Sequence, residues 1–225
     1  MHKIHLPEWA VERGRHLNHF GRIEPSHTAL IAVDLQNAFM LPGEVFGNPH
    51  ACDIVPNINR VADTLRRRGG RVIWTRQTIS EVAPRAYPQW QFDQRLDFVR
   101  QAKRALTEGA PGHALHLGAQ VEAADRILNK YRYSAFARHS SDLDGILQEQ
   151  GIDTLIIAGT LTNCCCESTA RDANMLGYKV LFLSDATAAV TDEEHNAALL
   201  NLRIMFADVR TTEEVLHLLE LASAA

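Results

Sequence analysis

Thr154-Leu155-Ile156-Ile157-Ala158-Gly159-Thr160-Leu161-Thr162-Asn163-Cys164-Cys165-Cys166-Glu167-Ser168-Thr169 is the stretch that decides the fold of this chain. It opens as an apolar run of strand length, Thr154 to Ala158 after Asp153, passes through a turn, and continues from Ala170 to Gly177 in a helical pattern. A strand that runs through a glycine-containing turn into a helix is the building unit of α/β sheets. Three of the four cysteines occupy the turn. A thiol placed there lies near unpaired backbone N–H groups and the positive end of the helix dipole, both of which favour a thiolate. The stretch predicts a strand–helix unit with a nucleophile at its bend.

Working outward, the same alternation continues in both directions. Ala29 to Val33 reads as a buried strand ending at Asp34, and Val55 to Arg68 carries Ile58, Val61, Ala62 and Leu65 at helical spacing. Arg71 to Thr75 is a strand, and a short strand, Arg126 to Leu128, leads to Lys130. Leu143 to Glu149 reads as helix, Lys179 to Leu183 as strand and Glu193 to Ile204 as helix. Phe206 to Val209 and Thr212 to Leu219 close the pattern as a strand and a helix. Residues 1–27 have no clear period and are expected to form an N-terminal arm packed on the domain or on a partner subunit. Residues 77–123, with Pro84, Pro88 and Pro111, are the least regular part. The alternation predicts one α/β domain over residues 28–225, a doubly wound, mostly parallel six-stranded sheet with helices on both faces. Right-handed crossovers would gather the strand C-terminal ends along one edge, where such folds bind ligands.

Composition narrows the function. The 225 residues are 46% hydrophobic and 22% charged, as a globular protein with a full core requires, and the net charge of −4 leaves no footprint for nucleic acid. Arg66-Arg67-Arg68, the one tight basic run, precedes Gly69-Gly70 and fits a helix C-terminus. No apolar stretch reaches the length of a membrane span, and the first seven residues lack the pattern of a signal peptide. Cys52 is isolated and the other cysteines are consecutive, which is poor geometry for a disulfide framework. A cytoplasmic protein acting on a small molecule is expected.

Asp34, Lys130 and the cysteines all fall at or just past strand C-terminal ends. Separately, an Asp there is often a turn residue, a Lys often extends to solvent, and a buried Cys behaves as a small hydrophobe. Together they suggest one reactive edge. Cys166 shares a small, apolar helix face with Ala170, Ala173 and Gly177 and reads as core. Spacing alone does not separate Cys164 from Cys165.

Three blocks carry a family resemblance: Ala32-Val33-Asp34-Leu35-Gln36-Asn37-Ala38-Phe39; Lys130 with Tyr133-Ser134-Ala135-Phe136; and Gly159-x-x-Thr162-Asn163-x-Cys165-x-x-x-Thr169-x-x-Asp172-Ala173. In order and type they resemble the signature blocks of the isochorismatase-like cysteine hydrolases, over roughly residues 26–220. The resemblance implies a doubly wound α/β fold, an Asp34–Lys130–Cys165 triad that hydrolyses small amides and ureides, and frequent homo-oligomers. It also implies an oxyanion hole from the backbone N–H groups of Leu161 and Cys165, with a cis peptide before Leu161.

Within the family, the residues around Cys165 together with Arg132-Tyr133-Ser134 are most similar to ureidoacrylate amidohydrolases, although Tyr131 stands where those usually have Pro. A carbamoylsarcosine- or maleamate-type amidase is an alternative on the same triad, and a non-catalytic, redox-sensing thiol protein is an alternative of another class. The Asp-x-His metal block of nicotinamidases is replaced by Thr75-Arg76-Gln77-Thr78-Ile79, so neither metal nor cofactor is expected. His113 and His116 have ligand-like spacing but lack a third partner. Arg76, Gln77, Trp90, Gln91 and Tyr133 are candidates for binding the substrate, because Arg and amide side chains suit a carboxylated or ureido ligand.

Overall fold

A computed structural model describes residues 1–221; the last four residues of the expected domain lie outside the described part. Six strands, β1 (Thr28–Val33), β2 (Arg71–Gln77), β3 (Arg126–Lys130), β4 (Thr154–Thr160), β5 (Lys179–Ala188) and β6 (Asp208–Arg210), form one sheet. Their order is β3-β2-β1-β4-β5-β6, and every neighbouring pair is parallel. The chain winds outward from β1 in one direction and from β4 in the other. Such an order leaves a crevice where the two central strands end, the usual ligand position in open α/β sheets.

Side-chain alternation along the strands builds two hydrophobic layers. Leu30, Ala32, Val72, Trp74, Ile156, Ala158 and Leu181 face one side, under α3 (Val55–Arg67) and α8 (Thr212–Leu221). Ala29, Ile31, Ile73, Leu155, Ile157 and Phe182 face the other, under α5 (Leu143–Glu149), α6 (Glu167–Met175) and α7 (Asp192–Asn201). Cys166, Ala170 and Ala173 are fully buried in this second layer, so Cys166 is a core residue.

Three helices went unread in the sequence. Residues 1–27 contain α1 (Glu8–Arg15), docked on its own domain where Arg203 reaches the Val11 carbonyl at 3.4 Å. The motif segment after β1 contains α2 (Asn37–Met40), and the irregular region contains α4 (Asp97–Leu106). In α4 the buried positions are Val99, Ala102 and Leu106, a helical spacing hidden among charged residues. The helix expected over Glu193 to Ile204 is regular only to Asn201; Leu202–Phe206 widens into a π-helical turn. None of the described helices is long and apolar enough to cross a membrane.

Gly159 brings the two central strands together. Its φ is +117°, and a Cβ there would stand 2.1 Å from the Val33 carbonyl oxygen. Only glycine combines that backbone conformation with that approach. The pairing of β4 with β5 shifts register between Ile157 and Gly159, so the end of β4 turns toward the crevice.

Candidate active site

Four strand ends converge on the crevice. Asp34 directly follows β1, Gln77 ends β2, Lys130 ends β3, and Leu161 follows β4. Asp34 holds a positive φ of 52°, unusual outside glycine, and its side chain is wholly buried. The Thr75 hydroxyl donates to Asp34 Oδ1 at 2.7 Å. Lys130 Nζ lies 2.8 Å from Asp34 Oδ2, and the exposure of both side chains is zero. That approach lies outside hydrogen-bond alignment, so Oδ2 has an ionic partner and an unused acceptor direction.

The ammonium of Lys130 is fully committed. It donates to Gln77 Oε1 at 2.5 Å and to the Arg132 carbonyl at 3.1 Å, besides facing Asp34. Burial pushes Lys130 down, but the Asp34 carboxylate outweighs it and holds the amine above its ordinary value. Lys130 is therefore a cation held by two hydrogen bonds and one ion pair.

After β4 the peptide bond from Thr160 to Leu161 is cis, as the family resemblance implies. The chain then makes a π-helical turn, Thr162–Cys166, before α6. The Leu161 carbonyl accepts from the N–H groups of Cys164 at 3.2 Å and Cys166 at 3.1 Å; the Cys165 N–H between them takes no part in this pair. Two side chains outside the turn fix it. Thr162 Oγ1 is 2.9 Å from His195 Nδ1, and Thr169 Oγ1 accepts from the Ala135 N–H at 3.2 Å. His195 Nε2 donates to the Ser184 carbonyl at 3.0 Å, which leaves Nδ1 as an acceptor for the Thr162 hydroxyl.

The cysteines differ from the expected resting thiolate at Cys165. The neighbouring Cys164 and then burial hold Cys165 well above the ordinary cysteine range, and Lys130 only partly opposes them. Cys164, beside Cys165 and less buried, is pushed down. The helix start does not overcome desolvation here, because Cys165 sits inside the turn with 5% of its surface exposed.

Cys165 and Cys164 lie at the foot of a cavity of about 380 Å³. Its walls include Phe39, Phe46, Phe92, Leu96, Phe98 and Leu106. Among the expected binding residues, Gln77, Gln91 and Tyr133 line it, as does Leu161. Tyr87 also lines it; its hydroxyl accepts from Gln77 Nε2 at 2.7 Å, so Gln77 joins Tyr87 to Lys130.

A domain model described as the isochorismatase domain matches residues 28–214 of the chain, most of its length and every residue of this crevice. The chain belongs to the isochorismatase family. A probable inactive nicotinamidase of Arabidopsis thaliana is 33% identical over 190 residues, 84% of this chain and 94% of that relative. Ureidoacrylate amidohydrolase RutB of Methylobacterium radiotolerans is 31% identical over 211 residues, 86% of this chain and 81% of that relative. The crystal structure of a cysteine hydrolase from Pseudomonas syringae pv. phaseolicola superimposes with a TM-score of 0.81 at 29% identity, covering 92% of this chain and 98% of the other.

Two expected binding residues of this isochorismatase-family chain fall elsewhere. Arg76 turns sideways along the sheet, with Nε donating to Asn129 Oδ1 at 2.9 Å on β3. Trp90 is 83% exposed and lies outside the cavity over Cys165. Residue type suggested both; strand direction and loop course decide against them. His113 and His116 serve structure. His113 Nε2 shares a hydrogen bond of 2.8 Å with the Thr78 hydroxyl, and His116 Nδ1 accepts from the Gly118 N–H at 3.1 Å.

Among the described residues, one group of three potential metal ligands forms, His2, His50 and Asp192. The Ala189 N–H donates to His2 Nε2 at 3.1 Å, which places the ring hydrogen on Nδ1, directed at Asp192 Oδ1 at 2.8 Å. That tautomer has no free lone pair on Nδ1 to offer a metal.

Sequence reasoning missed four contributors. Gln36 bridges β1 and β2, donating to the Gln77 and His113 carbonyls while its Oε1 accepts from the Gln77 N–H at 2.7 Å. Tyr87, Arg132 and His195 act across long sequence separations. Gln36, inside the first motif block, and Arg132, inside the Arg132-Tyr133-Ser134 stretch, carried a signal that could have singled them out.

Proposed function

We propose that this isochorismatase-family hydrolase is a metal-independent cysteine amidohydrolase. It cleaves the C–N bond of a small linear amide, carbamoyl or ureido compound through a thioester. The observation that carries the reading is the wholly buried Lys130–Asp34 ion pair at 2.8 Å, with Asp34 Oδ2 left an unused acceptor direction. A buried carboxyl group paired with an ammonium, with an acceptor direction still open near a thiol, is placed to act as a general base.

In this reading Cys165 attacks from the thiol state. Its proton passes to Asp34 Oδ2 as sulfur bonds to the carbonyl carbon. The backbone N–H groups of Leu161 and Cys165 receive the developing oxyanion. The intermediate collapses, the C–N bond breaks, and Asp34 returns the proton to the departing nitrogen, releasing ammonia or an amine. Asp34 next takes a proton from water, whose oxygen attacks the thioester; the acid leaves and the proton returns to Cys165. Lys130, hydrogen-bonded to Gln77 and the Arg132 carbonyl and ion-paired with Asp34, orients the carboxyl group and transfers no proton. Each step uses a side chain or N–H already in the crevice, and none requires a metal. The likeness to the ureidoacrylate amidohydrolase supports a C–N substrate.

The test is ammonia release over a panel of primary amides, N-carbamoyl amino acids and ureides, using wild type dialysed against a chelator alongside Cys165→Ala and Asp34→Asn. Turnover by the chelated wild type and its loss in both variants is expected. Full turnover by Cys165→Ala, or dependence on an added metal, would refute the reading.

A further inference from the structure

The walls of the cavity above Cys165 hold no charge that a substrate could pair with. Phe39 stacks on Phe46 with ring centroids 5.3 Å apart, and Phe46 meets Phe98 edge-on at 5.4 Å. Tyr87 packs on Phe92 at 4.3 Å on the facing wall. The polar atoms that reach the cavity belong to Gln77, Gln91, Tyr87, Tyr133 and the cysteines, and all but the sulfurs are neutral amides or phenols.

Arg138, exposed on the adjoining surface, lies outside the cavity, and the other cations nearest it are taken. Lys130 faces Asp34, Gln77 and the Arg132 carbonyl. Arg132 donates to the carbonyls of Pro84, Arg85, Ala86 and Tyr131 and lies over the Tyr87 ring. Arg85 stacks on Tyr131, and Arg76 is turned to Asn129. Two phenols report how the cavity treats negative charge. Burial pushes both Tyr87 and Tyr133 above the ordinary tyrosine value of 10. An anion brought into this space would lose its hydration and find only neutral donors, beside an Asp34 whose charge Lys130 already balances.

We infer that the site takes an uncharged amide whose body is apolar, aliphatic or aromatic, and discriminates against substrates that carry a carboxylate. This inference rests on the amidohydrolase reading and narrows its substrate class. The amide carbonyl sits at Cys165, and the apolar body lies along Phe39, Phe46 and Phe98. Tyr87 is the polar device suited to the reacting end. Its oxygen accepts from Gln77, so its own hydrogen is free to donate to the substrate.

A matched pair of primary amides tests this: hexanamide and adipamate, which differ by a terminal carboxylate. Wild type is expected to hydrolyse hexanamide with kcat/KM about 100-fold above adipamate or more, the size of effect a mismatched pocket produces. Leu96→Arg places a cation on the half-exposed wall and is expected to narrow that ratio at least ~10-fold. Equal or faster turnover of adipamate by wild type would overturn the inference while leaving the amidohydrolase reading intact.

Calorimetric binding of the same compounds to Cys165→Ala separates the two claims. If wild type hydrolyses neither amide but the variant binds hexanamide and rejects adipamate, the pocket's preference stands and the amidohydrolase reading falls. Binding that does not distinguish them overturns the preference.

Discussion

The Thr162 hydroxyl and the Nδ1 atom of His195 meet at 2.9 Å, joining the turn that carries Cys165 to the first helix beyond β5. In the neutral imidazole, whose Nε2 donates to the Ser184 carbonyl, Nδ1 is the acceptor of this bond. Burial, with the adjacent His2 contributing next, pushes His195 down from 6.5 to about 4.

The unfolded chain therefore takes up a proton on His195 between pH 6.5 and 4 that the folded chain refuses. Stability contributed by this group is complete above pH 6.5, declines as pH falls, and levels off below about 4. The loss totals on the order of 3 kcal/mol at most. Thermal unfolding of wild type and His195→Gln over this range checks it: the variant's Tm is expected to fall less steeply with acid. Parallel slopes would refute the assignment.

The cysteine pair gives an order of reactivity. Cys164 is the more exposed thiol and is pushed down, whereas the buried Cys165 is pushed well up. Iodoacetamide at neutral pH, followed by peptide mapping, is expected to label Cys164 several-fold faster than Cys165. Cys164→Ala is expected to remain an active hydrolase, and Cys165→Ala is not. Preferential labelling of Cys165 in the free protein would show that it rests as a thiolate.

Asp34→Asn removes the proton acceptor and leaves a buried ammonium without its counter-ion. Turnover is expected to fall by about 10²–10⁴-fold. Stability is expected to drop by about 3–5 kcal/mol, the usual result of breaking one side of a buried pair. Chemical denaturation and ammonia release measure the two effects separately.

Arg132 grips the segment that closes one side of the cavity, through the three consecutive carbonyls of Pro84, Arg85 and Ala86. Arg132→Ala is expected to raise KM about tenfold with a smaller change in kcat, because Tyr87 and Phe92 lose their anchor while the triad keeps its own. Arg132→Lys is not expected to restore KM, since one ammonium cannot reproduce a planar fork. A pure kcat defect would place Arg132 in the chemistry instead.

Much of this architecture was legible because it is local. The Thr154–Ala158 run, the small residues Cys166, Ala170 and Ala173, and the positions of Asp34 and Lys130 each carry their meaning within a few residues. The sheet order then follows from alternation and handedness. What stayed hidden depends on contacts made across the chain. His195 lies 33 residues from Thr162, and Arg132 reaches back 46 to 48 residues to the backbone it holds. No periodicity marks such partners. Arg76 misled for a related reason: its guanidinium suits a carboxylate, but a strand's alternation sets where a side chain goes, and here it goes to Asn129.

The strand order has a consequence for the chain as it is made. Asp34 and Lys130 belong to the half of the sheet completed first, and Cys165 enters only when β4 pairs with β1. On the proposed mechanism, neither part of the chain by itself holds all three side chains, which meet only where β4 pairs with β1. A break in the connection between β3 and β4 would divide the polypeptide into two inert fragments. Mixing those fragments and watching for the return of ammonia release would read the closing of the central pair of strands directly.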